Sequence, residues 1–328
     1  MKIFHHNDDD GYCSAAIVFR YLINMWDIPT ENDFFVYSYG KEITLPEINT
    51  NETVYIVDLA LDANIMKLIM HCVDNEANVI HIDHHESTQK YMEKASPTAK
   101  AYLDAITHFY ENGISASLMT YAYSCFTDEM KRNPENVSFY DANECRDLFI
   151  EDMPYPYSIP LAVRYINDYD IWKFDLKETL EFHEGFYSSP WRTKPWDDGW
   201  KRLFMSENAL VPPIIESGTA IVKHTEKRYE SIRKNAFVHL DSEGNECICI
   251  NTDSADSKVF GDLLQHYDYG CLFKFDGKVW HNSLRSSDEG INVADIAEKH
   301  GGGGHAHAAG FQSDECIWIQ KFTTTPEE

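Results

Sequence analysis

Two periods of apolar residues alternate along the first part of the chain. Lys2 to His6 is a short apolar run of strand length, and Tyr12 to Met25 follows with Ala16, Val18, Phe19, Leu22 and Ile23 at helical spacing. Phe34 to Tyr39 alternates as a second strand. Thr53 to Leu59 and Asn78 to Asp83 read as a third and a fourth, with a helical stretch from Asn64 to Val73 between them. Strands alternating with helices at these distances predict an α/β fold: a mostly parallel sheet with right-handed crossovers and helices on both faces.

The later pattern predicts a second, smaller α/β unit. Ile114 to Phe126 reads as a helix, the acidic and aromatic stretch to about Asp152 has no clear period, and Leu161 to Asn167 reads as helix or strand. Pro190 to Pro213 is rich in Pro, Trp and Gly, which marks a connecting region. A long helix from Ile214 to His239 follows. After it come a strand from Cys247 to Asn251, a helix from Val259 to Tyr267, a hairpin through Asp276-Gly277, a helix from Val293 to His300, and a glycine run ending at Gly310-Phe311. The expected division is a first domain over residues 1–190, a linker and connecting helix over 191–240, and a second domain over 241–328. A chain of 328 residues is long enough for two cores.

Side chains beyond the carboxyl ends of parallel strands converge on one edge of the sheet. His6, Asp8 and Asp10 end the first strand and enter its loop, Asp58 ends the third, and Asp83, His84 and His85 end the fourth. Alternation points Asp8 and Asp10 to one side, and Gly11 allows a sharp turn into the helix. Several ionised carboxylates share a small space only when cations neutralise them. Carboxylates and imidazoles without thiolate suit Mn or Mg, with Zn, Co or Fe also compatible. Two such ions about 3.5–4 Å apart, bridged by a carboxylate and a water, would activate that water and polarise a phosphoryl group. Taken alone, Asn7-Asp8-Asp9-Asp10-Gly11 is more often a loop or an Asx turn. A calcium loop of the EF-hand type fails, because His6 stands first and Ile17 occupies the place of the bidentate Glu. Joint placement on three strand ends carries the inference.

Composition narrows the substrate. The net charge of −26 opposes binding of a long polyanion such as duplex nucleic acid, whose affinity rests on many Lys and Arg contacts. Eight cysteines are scattered, with only Cys247 and Cys249 close, so no disulfide framework is expected. No apolar run reaches eighteen residues, and the start turns acidic where a signal peptide needs an apolar stretch. A cytoplasmic location without membrane attachment is the expectation, and a homodimer is compatible with all of these features.

The order His-x-Asp-x-Asp-Gly (His6 to Gly11), Asp58, Asp-His-His (Asp83 to His85) and Gly-Gly-Gly-Gly-His (Gly301 to His305) closely resembles the DHH phosphoesterase superfamily over nearly the whole chain. The resemblance is strongest to its oligoribonuclease and cyclic-nucleotide phosphodiesterase branch, the nanoRNases of the NrnB type. It implies a manganese-dependent phosphodiesterase with two Mn2+ ions, Mg2+ or Co2+ being alternatives. Short oligonucleotides, or linear or cyclic dinucleotides, would be cut to mononucleotides. The competing readings are a phosphatase on a nucleoside bisphosphate or other small phosphorylated metabolite, and a non-enzymatic nucleotide sensor. By the resemblance His6 and Asp8 hold one metal, Asp10 and His84 the other, and Asp58 bridges. His85 faces the substrate phosphate and Asp83 orients the imidazoles. A fourth motif supplies one more Asp, either Asp168 or Asp170, with Asp168 preferred for its distance to Trp172; His5 competes with His6.

The second domain is expected to bind the far end of the substrate. Arg285 would grip a phosphate, Gly302, Gly303 and Gly304 would bring backbone N–H groups close to it, and His305 would hydrogen-bond it. His307 departs from the expected Pro-x-Ala-Ala-Gly run. Two further patches have ordinary explanations that are the stronger ones. Trp191 to Trp196 and Trp200-Lys201-Arg202 could stack a base, but such tryptophans are more often core. Lys223, Lys227, Arg228, Arg233 and Lys234 read first as a solvated helix face.

Overall fold

Alternation along the third strand decides the architecture of the first unit. In the computed structural model, which describes residues 1–22, 28–132, 159–287 and 289–319, five parallel strands form one sheet. They are β1 (Lys2–His6), β2 (Phe34–Tyr37), β3 (Thr53–Val57), β4 (Asn78–Asp83) and β5 (Thr107–Tyr110), in the order β2-β1-β3-β4-β5. Helices α1 (Asp9–Ile17), α2 (Ala63–Asp74), α3 (Glu86–Lys94), α4 (Pro97–Leu103) and α5 (Ala116–Arg132) accompany them. Val54 and Ile56 join Phe4 and Val79 against Ile65, Leu68 and Ile69 of α2. Tyr55 and Val57 join Ile3, Ile80 and Ile82 against Ala15 of α1 and Met119 of α5. Both faces of the sheet are thereby covered, as an all-parallel sheet requires. Ile23 and Met25 of the expected first helix lie outside the described residues, as does most of the aperiodic stretch before Asp152.

The segment expected to connect two domains is largely core. Helices α6 (Leu161–Asp170), α7 (Thr179–Tyr187) and α8 (Asp198–Met205) pack with Trp200 and Leu203 buried against Phe182 and Phe186. Helix α9 (Glu207–Arg233) begins seven residues before the expected Ile214 and carries Pro212 and Pro213 in its second turn. The chain divides into units Met1–Val222 and Lys223–Glu328, so the division falls within α9.

The second unit has a six-stranded mixed sheet, β6 (Phe237–Leu240), β7 (Glu246–Asn251), β8 (Tyr269–Phe275), β9 (Trp280–Arg285), β10 (Gly303–His305) and β11 (Ala308–Ser313), ordered β10-β11-β9-β8-β7-β6. Only β7 and β8 pair in parallel. Cys247 and Cys249 face Val293, Ala294 and Ala297 of α10 (Val293–Lys299), whereas Ile248 and Ile250 face Val259, Phe260 and Tyr229. Phe237 to Leu240, expected as the end of the long helix, is strand. The expected helix at Val259 is a 3-10 turn, Ser257–Gln265, broken at Gly261 with φ 49°. Among the described residues no helix is long and apolar enough to cross a membrane.

Candidate metal centre

Register brings three strand ends side by side. His5 pairs with Val57, and Val57 with Ile82, so the next residues, His6, Asp58 and Asp83, share the carboxyl edge. Strand order reverses between β1 and β3, the point at which open parallel sheets bind ligands. His6 Nδ1 lies 2.5 Å from Asp8 Oδ2 and 3.8 Å from Asp58 Oδ2. His84 Nε2 lies 3.4 Å from Asp58 Oδ1, 3.4 Å from Asp170 Oδ2 and 4.0 Å from Asp10 Oδ2. Three groups could each hold a cation: His6, Asp8 and Asp58; Asp10, His84 and Asp170; and Asp58, His84 and His85.

Each carboxylate is fixed by its own local structure. Asp8 caps α1 by accepting from the Gly11 N–H at 2.9 Å. Gly11 is required by close approach, since a Cβ there would stand 2.4 Å from the His6 carbonyl oxygen. Asp10 accepts from the N–H groups of Ala116 (2.8 Å) and Ser117 (3.0 Å), the partly positive N-terminus of α5. Asp58 sits at φ 57°, a left-handed conformation that Asp tolerates better than most residues and that turns its side chain off the end of β3. Asp83 takes the His85 Nδ1 proton at 2.7 Å and the Thr88 hydroxyl, so it positions His85 and stays outside the three groups.

The electrostatics call for cations. Burial, then the charges of Asp8, Asp10 and Asp170, push the Asp58 carboxyl well above the usual range. Burial with Asp10, Asp8 and Asp9 nearby pushes Asp170 up to about 9. Burial opposes ionisation of Asp8 too, but hydrogen bonds from His6 and Gly11 hold it down at about 2. Asp58 Oδ2 and Asp170 Oδ2 are sealed from solvent with no hydrogen-bond partner. Buried orphan carboxylate oxygens of this kind, beside imidazoles, are the donor set that a hard divalent cation completes.

Two residues preferred or considered from the sequence are displaced. Asp168 is not at the centre: its carboxylate accepts from the N–H groups of Asp175 (2.9 Å) and Leu176 (3.0 Å) and from the Thr179 hydroxyl (2.5 Å), holding the α6–α7 turn. Asp170, two residues on in a helix and hence on another side of it, reaches His84. His5 alternates away from His6 into the core, where Nδ1 donates to the His6 carbonyl at 2.9 Å and burial lowers its pKa to about 4. Asp9 was not singled out as a site residue: it pairs with Arg192 at 2.7 Å and His183 at 3.1 Å.

In the second unit Arg285 lines a cavity of about 530 Å3 that also has Lys274, His281 and Gly310 in its wall. The glycine run is sheet and helix cap, not a flexible linker. Gly302 donates its N–H to the Ala297 carbonyl at 2.8 Å, ending α10, so that N–H is not open to a phosphate. Gly304, at φ 150°, could not carry a Cβ, which would meet the Ala308 oxygen at 2.5 Å. Gly303 and His305 are exposed on β10. Of the residues with no expected role, His307 hydrogen-bonds the Ser286 hydroxyl at 2.9 Å, tying the end of β9 to the β10–β11 turn.

Residues 1–143 match the DHH family N-terminal domain and residues 250–325 match the DHHA1 domain. The chain carries a DHH domain followed by a DHHA1 domain. Protein R106 of Acanthamoeba polyphaga mimivirus is 23% identical over 327 residues, covering 94% of this chain. The chain spans 66% of the length of that relative. The structure of a pGpG-specific phosphodiesterase, PggH, from Vibrio cholerae is similar at TM-score 0.47 and 14% identity, covering 95% of this chain and 93% of its own. An exopolyphosphatase-related protein from Bacteroides fragilis is similar at TM-score 0.45 and 12% identity, covering 96% of this chain and 87% of its own.

Proposed function

We propose that this DHH–DHHA1 chain is a metal-dependent phosphodiesterase that hydrolyses very short oligonucleotides, or linear or cyclic dinucleotides, to mononucleotides. The observation that supports the phosphoester chemistry is the double use of Asp58: Oδ2 faces His6, and Oδ1 faces His84 and His85. A carboxylate shared between two ligand groups is suited to bridge two divalent cations, Mn2+ in the leading reading. Cations held there would supply Lewis acidity to the phosphoryl oxygens and acidify a water.

The protein's own part is placement and proton handling. Asp10 and Asp58 are held rigidly by the α5 N-terminus and by the strained backbone at residue 58. His85, with its Nδ1 proton committed to Asp83, keeps Nε2 for a phosphate or leaving-group oxygen. The net charge of −26 supports a short substrate over a long polyanion. Arg285, with Lys274 and His281 in the same cavity, gives the second unit a place for a phosphate.

The test is incubation with labelled di- to decanucleotides, cyclic dinucleotides and nucleoside 3′,5′-bisphosphates, with and without Mn2+. Mononucleotides released from the shortest substrates, only with metal, are expected. Turnover confined to the bisphosphates would make the chain a phosphatase, and nucleotide binding without any turnover would make it a sensor.

A further inference from the structure

Beside the metal ligands lies a cavity that the proposed hydrolysis does not use. It has a volume of about 330 Å3, with Asp8, Asp10 and Asp170 on one side. That is at the small end of the about 300–1,000 Å3 of small-molecule sites. Most of its remaining wall is aromatic, with Asp9 and Arg192 among the rings. The Tyr169 and His183 rings stack with centroids 3.5 Å apart and planes within 8°. Trp172 stands edge-on to Tyr169 at 5.4 Å, and the Arg192 guanidinium lies 4.4 Å over the Tyr187 ring.

Two of these rings face outward at a cost. Trp172 and Tyr187 are 60% and 64% exposed, although both are large apolar side chains lining a concave surface. Trp172 is held out by a left-handed backbone at φ 59°, and Phe174, which it meets edge-on, by one at φ 54°. Such strain in ordinary residues persists where the surrounding structure imposes it, commonly at ligand sites.

The charge balance decides what the cavity takes. The one guanidinium in its wall, Arg192, is already matched by Asp9, whose other oxygen faces His183. With Asp8, Asp10 and Asp170 adjacent, carboxylates outnumber cationic groups. Away from those metal ligands, a bare phosphate or a polyphosphate therefore finds no unspent positive charge in the wall. A neutral, flat ring finds aromatic faces, and base–aromatic stacking is tolerant of sequence because every base has a π-face.

We propose that this cavity is a nucleobase subsite, stacking the base of a nucleotide whose phosphate lies at the Asp8, Asp10 and Asp170 side. The proposal rests on the phosphodiesterase reading of the neighbouring centre and adds a requirement to it: a substrate needs a base next to the reacting phosphate. Polyphosphates and sugar phosphates lack that base.

The experiment compares binding of AMP and of ribose 5-phosphate to the full chain with Mn2+ by calorimetry, in wild type and in Trp172→Ala, Tyr187→Ala and Tyr187→Phe. AMP is expected to bind wild type at least tenfold tighter than ribose 5-phosphate, with GMP, CMP and UMP close to AMP. In each alanine variant that advantage falls at least fivefold, whereas Tyr187→Phe, which keeps the ring, preserves it. Both side chains are exposed, so circular dichroism should show the fold retained. Equal affinities in wild type, or an advantage undiminished in both alanine variants, overturns the subsite. Dinucleotide hydrolysis measured on the same samples separates the two readings. Hydrolysis without a base preference removes the subsite alone, and a ring-dependent preference without hydrolysis removes the phosphodiesterase reading alone.

Discussion

Asp83 Oδ1 accepts a 2.7 Å hydrogen bond from His85 Nδ1 while the Asp83 side chain is wholly buried. Burial works against its charge, yet the bonds from His85 and Thr88 hold its pKa down at about 2. In return, the same contact outweighs burial and raises the pKa of His85. Asp83→Asn keeps the shape and removes the charge. Activity is expected to fall by about 10- to 100-fold, the usual effect of losing a carboxylate that orients a site imidazole. Steady-state kinetics over a range of Mn2+ concentrations checks this, and wild-type activity in the variant would remove Asp83 from the site.

Asp58→Asn should separate stability from function. Asn also tolerates the left-handed backbone at residue 58. Removing one of several crowded carboxylates relieves repulsion, so the metal-free variant is expected to melt at a higher temperature than metal-free wild type. Added Mn2+ should then raise the melting temperature of wild type only. Thermal melts with chelator and with Mn2+ give both comparisons.

The metal-free protein should lose stability as pH rises from 7 to 9. Asp170, at about 9 when folded, keeps a proton that the unfolded chain has already released. Its stabilising contribution is complete below the ordinary carboxylate range and disappears as pH climbs through the folded value. The groups with lowered values, Asp8 and Asp83 near 2 and His5 near 4, act at lower pH and do not mask this slope. Asp170→Asn is expected to reduce it, the raised Asp58 carboxyl keeping part of the slope. Denaturant unfolding in chelator at several pH values is the measurement.

Asp168 and Asp170 should respond in opposite ways. Asp168→Ala leaves the Asp175 and Leu176 N–H groups without their acceptor, at about 1–3 kcal/mol for each donor left unpaired, while the Thr179 hydroxyl keeps the Leu176 carbonyl. A lower melting temperature with metal binding retained is expected. Asp170→Asn should instead weaken metal binding, with the fold intact. Metal titration followed by melting of each variant distinguishes the two.

That pair also shows where the sequence stops being informative. Strand ends were legible because an apolar run followed by a carboxylate marks both the strand and its exit, as at Val57-Asp58 and Ile82-Asp83. His6 over His5 follows from the two-residue period of β1. Asn167-Asp168-Tyr169-Asp170 is different, because which carboxylate faces the centre depends on the rotation of α6 against its neighbours. Spacing to Trp172 does not fix that rotation. Trp191 and Trp200 pack in a core, as expected, but composition does not reveal that Arg192, between them in sequence, lines a cavity. Gly302 is a similar case: its N–H is taken by a carbonyl five residues back, a bond that only the folded end of α10 shows.

The side chains around Asp58 come from strand ends, loops and helices spread from residue 6 to residue 170. No fragment that ends before residue 170 contains them all, and groups from different strands meet only when the central strands are in register. A nascent or misfolded chain therefore lacks the complete set of ligands. For the proposed hydrolysis of nucleotides, that would be a safeguard against cutting before selectivity has formed.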